Sequence, residues 1–159
     1  MMKKALSLFL AAAMCAGMLA GCGGGADTNE ATNGDSGEST AAAFKIGGTG
    51  PLTGDAAIYG NAVKNGAQLA VDEINADGGI NGKQIEFKFE DDQNDSEKSV
   101  NAYNTLKDWG MQMLVGTVTS TPCTAVVEES HKDNMYQLTP SATAVESIQY
   151  DNAFRICFS

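Results

Sequence analysis

The sequence is short of cations. Its 159 residues carry 10 Lys and Arg against 20 Asp and Glu, a formal net charge of -10. Nucleic-acid binding depends on clustered cations that displace phosphate counterions, so this balance argues against a nucleic-acid partner. Cysteine is sparse as well. Four, widely spaced, are too few for a disulfide scaffold or a zinc cluster. The single histidine, His131, falls late on a helical stretch with no acid–serine or acid–cysteine constellation, so no catalytic residue is assigned and an enzyme is not expected. No stretch matches a phosphate loop, and Gly48-x-Gly50-x-x-x-Gly54 misses the dinucleotide fingerprint by one residue, so no cofactor is expected. Asp92-x-Asn94-x-Ser96 begins like a calcium loop. Glu97 then stands where glycine is needed and Tyr103 where the closing glutamate belongs, so no metal is expected either.

What is present divides along the chain. Lys3 and Lys4 precede an apolar run, residues 5–20, that ends in Leu19-Ala20-Gly21-Cys22. A charged start, an apolar middle and a small-residue end are the parts of an export signal. The run is too short to span a hydrocarbon core comfortably, which takes about 20 residues. The closing tetrapeptide looks like a bacterial lipobox, which makes residues 1–21 a signal peptide and Cys22 the lipidation site. Each buried methylene contributes about 0.8 kcal/mol, so two acyl chains hold a protein on a bilayer where one would not. The expected location is the outer face of the cytoplasmic membrane. After Cys22, residues 23–43 contain no Val, Ile, Leu, Met or aromatic residue and four acids without a base. Such a segment cannot bury enough apolar area to offset chain entropy, and it reads as a flexible acidic tether reaching about 25 Å.

From Phe44 strands and helices alternate. Phe44-Lys45-Ile46 opens a strand; Val63, Ala67, Val71 and Ile74 form a helical stripe stopped by Asp77-Gly78-Gly79. After an Asn81-Gly82 turn, Ile85, Phe87 and Phe89 alternate with polar residues, which suits a sheet-edge strand with one wet face. Asn94-Asp95-Ser96 caps a second helix with Val100, Tyr103 and Leu106 inward, ending at Gly110. Met113-Leu114-Val115 is a third strand. Thr119-Ser120-Thr121-Pro122 starts a third helix carrying Val126, Val127 and Ser130. Residues 135–138 and 153–158 supply strands four and five. This alternation predicts an α/β fold, an open doubly wound parallel sheet in the order 2-1-3-4-5.

Ligands of such sheets collect outside the carboxyl ends of the strands. Those ends are rich in glycine and hydroxyls: residues 49–54, 117–121 and 139–143. Converging, they would form a small polar pocket with few charges, and the amides near Ser120 would favour a carboxylate. Cys123 and Cys157 are read as two thiols.

The segments Gly50-Pro51-Leu52-Thr53-Gly54, Tyr59-Gly60, Gly66-Ala67, Glu90-Asp91-Asp92 and Pro140-Ser141-Ala142-Thr143, with residues 72–83, together resemble the start of the leucine/isoleucine/valine-binding family. These are extracytoplasmic substrate-binding proteins of branched-chain amino-acid ABC transporters. The resemblance covers residues 44–159. It implies two α/β lobes closing like a venus-flytrap around an amino acid, with residues 44–159 as most of one lobe. It further implies ABC permease partners and a monomer. For the ligand, it implies Tyr59 as an aromatic wall, Ser120 as a hydroxyl on the α-carboxylate, and Ala142 and Thr143 as backbone and hydroxyl contacts. Some members pair cysteines across the loops after strands two and three; Asn94 and Thr119 lie near those places here. The chain ends after the fifth strand without a second lobe, which reads as a fragment that binds leucine weakly or not at all alone. A ligand-sensing receptor lobe of the same fold is an alternative. A flavodoxin-like enzyme or response domain is a more distant one, with Asp91-Asp92 a faint echo of a phosphoacceptor pocket.

Overall fold

The computed structural model describes residues 43–158. The proposed signal segment, Cys22 and nearly all of the tether lie outside them. Five strands, β1 (Phe44–Gly50), β2 (Ile85–Asp91), β3 (Met113–Gly116), β4 (Tyr136–Thr139) and β5 (Ala153–Arg155), form one parallel sheet in the order β2-β1-β3-β4-β5. Between them run α1 (Ala57–Ala76), α2 (Ser96–Asp108), α3 (Ser120–Lys132) and a short 3-10 helix, Val145–Ile148. Right-handed crossovers put α1 on one face, because β1 to β2 steps one way. They put α2 and α3 on the other, because β2 to β3 and β3 to β4 step back. The direction reverses between β1 and β3, and that switch point is where a ligand crevice opens.

The elements follow their sequence signals with a few local differences. Asp95 caps α2 by accepting from the Lys98 amide at 2.9 Å, as its capping cluster requires. Asn81 and Gly82 take positive φ, 53° and 79°, in the turn that lets Ile80 pair with Lys83; glycine adopts this at no steric cost. The apolar stripe of α1 is buried at Val71 and half-buried at Val63 and Ala67, whereas Ile74 is exposed near the helix end. Strand four is shifted by one residue, to Tyr136–Thr139. Strand five stops at Arg155 instead of Phe158, since its partner β4 ends at Thr139 and offers no further ladder.

The core lies between the sheet and the α2–α3 pair: Tyr103, Leu106, Met111, Leu114 and Val126. At its rim, Tyr103 Oη donates to Asp133 Oδ2 at 2.8 Å and Lys107 Nζ to the same oxygen at 2.7 Å, tying α2 to the end of α3. The Lys107 hydrogen bond, then that from Tyr103, holds the Asp133 carboxyl below its ordinary 3.8. A lowered carboxylate contributes stability that is present above its unfolded pKa and lost as pH falls through the folded one. Asp133→Asn is therefore expected to unfold at lower urea than the parent at pH 7. The gap should close as pH drops below 3.8. On the opposite face α1 covers β1 and β2, while Tyr136 and Phe154 stack in the open at a centroid distance of 5.0 Å. Among the described residues no helix is long and apolar enough to cross a membrane.

Candidate functional site

At the carboxyl end of β1, Pro51 leads into a loop that carries the first turn of α1. Asp91, at the end of β2, pins that loop: its carboxylate accepts from Leu52 N at 2.8 Å, Thr53 Oγ1 at 2.6 Å and Gln93 N at 2.9 Å. Burial pushes the Asp91 pKa up, but the hydrogen bonds from Thr53, Leu52 and Gln93 outweigh it and leave the group below 3.8. Asp92 is fully buried, accepting from Asn94 N at 2.8 Å and Thr49 Oγ1 at 3.2 Å, and burial raises its pKa. Both carboxylates thus serve to hold loops, which leaves the phosphoacceptor reading without support.

The loop after β3 enters α3. Thr119 is the N-cap residue, yet its hydroxyl does not cap; it donates to Asn94 Oδ1 at 2.7 Å instead. That bond joins the loops after β2 and β3, at the places where the resemblance puts paired cysteines in other family members. With no side-chain cap, and Pro122 lacking an N–H, the Ser120 and Thr121 amides remain the unclaimed donors of the helix start. Ser120 Oγ accepts from Thr143 N at 3.1 Å and Ala144 N at 3.3 Å. Two amides on its lone pairs leave the hydroxyl proton free to donate elsewhere.

These loops frame a cavity of about 330 Å³ lined by Tyr59, Val118, Thr119, Ser120, Ser141, Cys157 and Phe158, with no charged side chain in the wall. Tyr59 and Ser120 come together in it. Thr143 sits beside Ser120, its amide taken by Ser120 Oγ and its side chain exposed. Ala142 lies behind the wall, fully buried, with its N–H on Thr139 Oγ1 at 3.1 Å and its carbonyl accepting from Cys157 Sγ at 3.4 Å. Val118 falls within the 117–121 loop expected at the pocket, whereas Cys157 and Phe158 escaped the sequence reading. Both fall in the expected fifth strand, and only the early end of β4 shows that they turn off as a loop. Cys123 and Cys157 are free thiols, as expected, and His131 is a surface residue stacked on Tyr150 at 3.9 Å.

Residues 43–159 match the family described as periplasmic binding protein. The chain belongs to that family. Among curated relatives of this periplasmic binding protein chain is the Leu/Ile/Val-binding protein BraC3 of Rhizobium johnstonii, 40% identical over 114 residues, covering 70% of this chain and 31% of that protein. Another is the leucine-, isoleucine-, valine-, threonine- and alanine-binding protein of Pseudomonas aeruginosa, 36% identical over 103 residues and covering 65% of this chain and 28% of that one. Among solved structures, the branched-chain amino-acid transporter substrate-binding protein LivJ of Streptococcus pneumoniae, in complex with isoleucine, matches with a TM-score of 0.70 and 34% identity, over 74% of this chain and 34% of that one. The chain spans about a third of the length of the proteins it matches. The sheet order of this chain, β2-β1-β3-β4-β5, is the one the alternation of elements predicts.

Proposed function

We propose that this chain forms one wall of an amino-acid site in the extracytoplasmic solute-binding component of an ABC importer, with a branched-chain amino acid as ligand. The carrying observation is the cavity at the switch point, in which an unengaged Ser120 hydroxyl proton and two unclaimed α3 amides sit beside Tyr59, Val118 and Phe158. Helix N-terminal amides and a hydroxyl suit a carboxylate, and an uncharged aromatic and aliphatic wall suits an apolar side chain. BraC3 and LivJ carry names that fit this reading. The wall is open to solvent, with Tyr59 61% and Phe158 82% exposed, so one wall by itself holds a ligand weakly.

NMR titration of the chain with leucine, isoleucine and valine at millimolar concentrations tests this. Saturable shifts at the Ser120, Thr121 and Thr143 amides, absent with lysine or glutamate, are the expected result. Equal responses to all amino acids, or none, would overturn it. The proposal extends to the anchor: a diacylglyceryl group on Cys22 would hold the site at the membrane surface, with permease subunits as partners. Cys22→Ala is expected to shift the protein from the membrane pellet to the soluble fraction and to abolish labelling by radioactive palmitate.

A further inference from the structure

The segment that faces Ser120 is held from both sides. Its amides are taken by β4 and α3 groups: Ala142 N by Thr139 Oγ1, Thr143 N and Ala144 N by Ser120 Oγ. Its carbonyls are taken by the far edge of the sheet. Arg155 Nη1 donates to Thr143 O at 2.7 Å and Ala144 O at 3.3 Å, and Cys157 Sγ donates to Ala142 O at 3.4 Å. Three consecutive carbonyls are thus pinned by Arg155 at the end of β5 and by Cys157 two residues beyond it.

Strand alternation explains why Arg155 does this. It pairs in register with Thr139, the last residue of β4, so its side chain rises on the face over which the chain folds from Pro140 to the 3-10 helix. Phe154 points to the opposite face, onto Tyr136. Among the described residues no carboxylate pairs with Arg155. Its guanidinium is spent on backbone: one nitrogen, Nη1, meets both carbonyls, and the planar group is held in that orientation more firmly than a flexible lysine ammonium would be. Without it, the Thr143–Ala144 peptide is free to rotate, and the amides that engage the Ser120 lone pairs go with it. The Ser120 hydroxyl then has no fixed direction in which to offer its proton.

We infer that Arg155 is a positioning residue of the ligand site, setting the 142–144 segment so that Ser120 presents its hydroxyl proton to the cavity. This rests on the amino-acid reading above for the identity of the ligand, but not for the positioning itself. The test uses the full chain with Arg155→Met and Arg155→Lys, read by amide hydrogen exchange and by leucine titration. Arg155→Met is expected to raise exchange at Thr143 and Ala144 by at least about tenfold while core amides such as Leu106 and Leu114 stay protected. It is also expected to remove the leucine-induced shift at Ser120. Arg155→Lys, keeping a cation on a more flexible stem, is expected to fall between. Unchanged exchange at Thr143 and Ala144, or an equal rise across the whole core, would overturn the inference. If exchange rises locally in Arg155→Met while the parent chain shows no leucine response, the positioning role stands and the amino-acid reading fails.

Discussion

Ser120→Ala is expected to weaken leucine binding more than about tenfold while leaving the chain folded. Two losses combine. The free hydroxyl proton disappears, and a hydrogen bond to a charged group contributes about 1.5–3 kcal/mol. The acceptor for Thr143 N and Ala144 N also disappears. Thr143 is exposed and Ala144 half-buried, so water can replace the acceptor, and the stability cost should stay near 1 kcal/mol. Ser120→Thr retains the hydroxyl and is expected to retain most of the binding. Titration of both variants, with urea midpoints beside it, separates lost recognition from lost folding. If Ser120→Ala binds leucine as the parent does, Ser120 does not touch the ligand.

The largest effect on stability should come from one methyl group on α1. A Cβ at Gly60 would collide with the carbonyl oxygen, carbonyl carbon and nitrogen of Pro51, all backbone atoms that cannot swing aside. Gly60→Ala must therefore lift the start of α1 off the loop after β1, and overpacking of this kind costs about 3 kcal/mol. Tyr59 rides on the same turn and should leave the cavity with it. Gly66, less than two turns further on, meets nothing within 4 Å. There the same substitution is expected to stabilise by about 0.5–1 kcal/mol, because alanine restricts the unfolded chain and favours helix. Opposite shifts of the urea midpoint from two Gly→Ala changes on one helix would be hard to obtain by any other route. Equal shifts would mean that α1 does not dock as described.

Much of the fold was legible because its signals are local. Val63, Ala67 and Val71 announce an amphipathic helix, Ile85, Phe87 and Phe89 a half-wet edge strand, and Asp95 a cap, since each depends on residues within a turn or two. Right-handed crossovers then leave few ways to order five parallel strands. The expectation fared worse where the outcome depends on a partner distant in sequence. The expected fifth strand runs through Phe158. It ends at Arg155 because β4 runs out first, and that delivers Cys157 and Phe158 to the cavity. Thr119 looked like a cap and became a bridge to Asn94.

Buried polar residues show the same division. Gln137 sits in a strand whose neighbours gave no reason to expect it buried. In the fold it is fully enclosed, accepting from Ser130 Oγ at 2.6 Å and donating to Cys123 Sγ at 3.4 Å, with Asn152 Nδ2 reaching the same serine at 3.2 Å. A buried amide is tolerated only when donors and acceptors surround it, and these come from α3 and the turn before β5.

The amino-acid sequence by itself determined the order of elements, the parallel sheet and the hydroxyl-rich loops at its carboxyl edge, because propensity, periodicity and capping act over a few residues. Only the tertiary structure decided which of those hydroxyls have a proton to spare. Ser120 has one because amides 23 and 24 residues away fill its lone pairs, and Arg155 holds those amides in place from another strand. Hydrogen-bond direction is a property of the groups that meet in space, and no spacing along the chain encodes it.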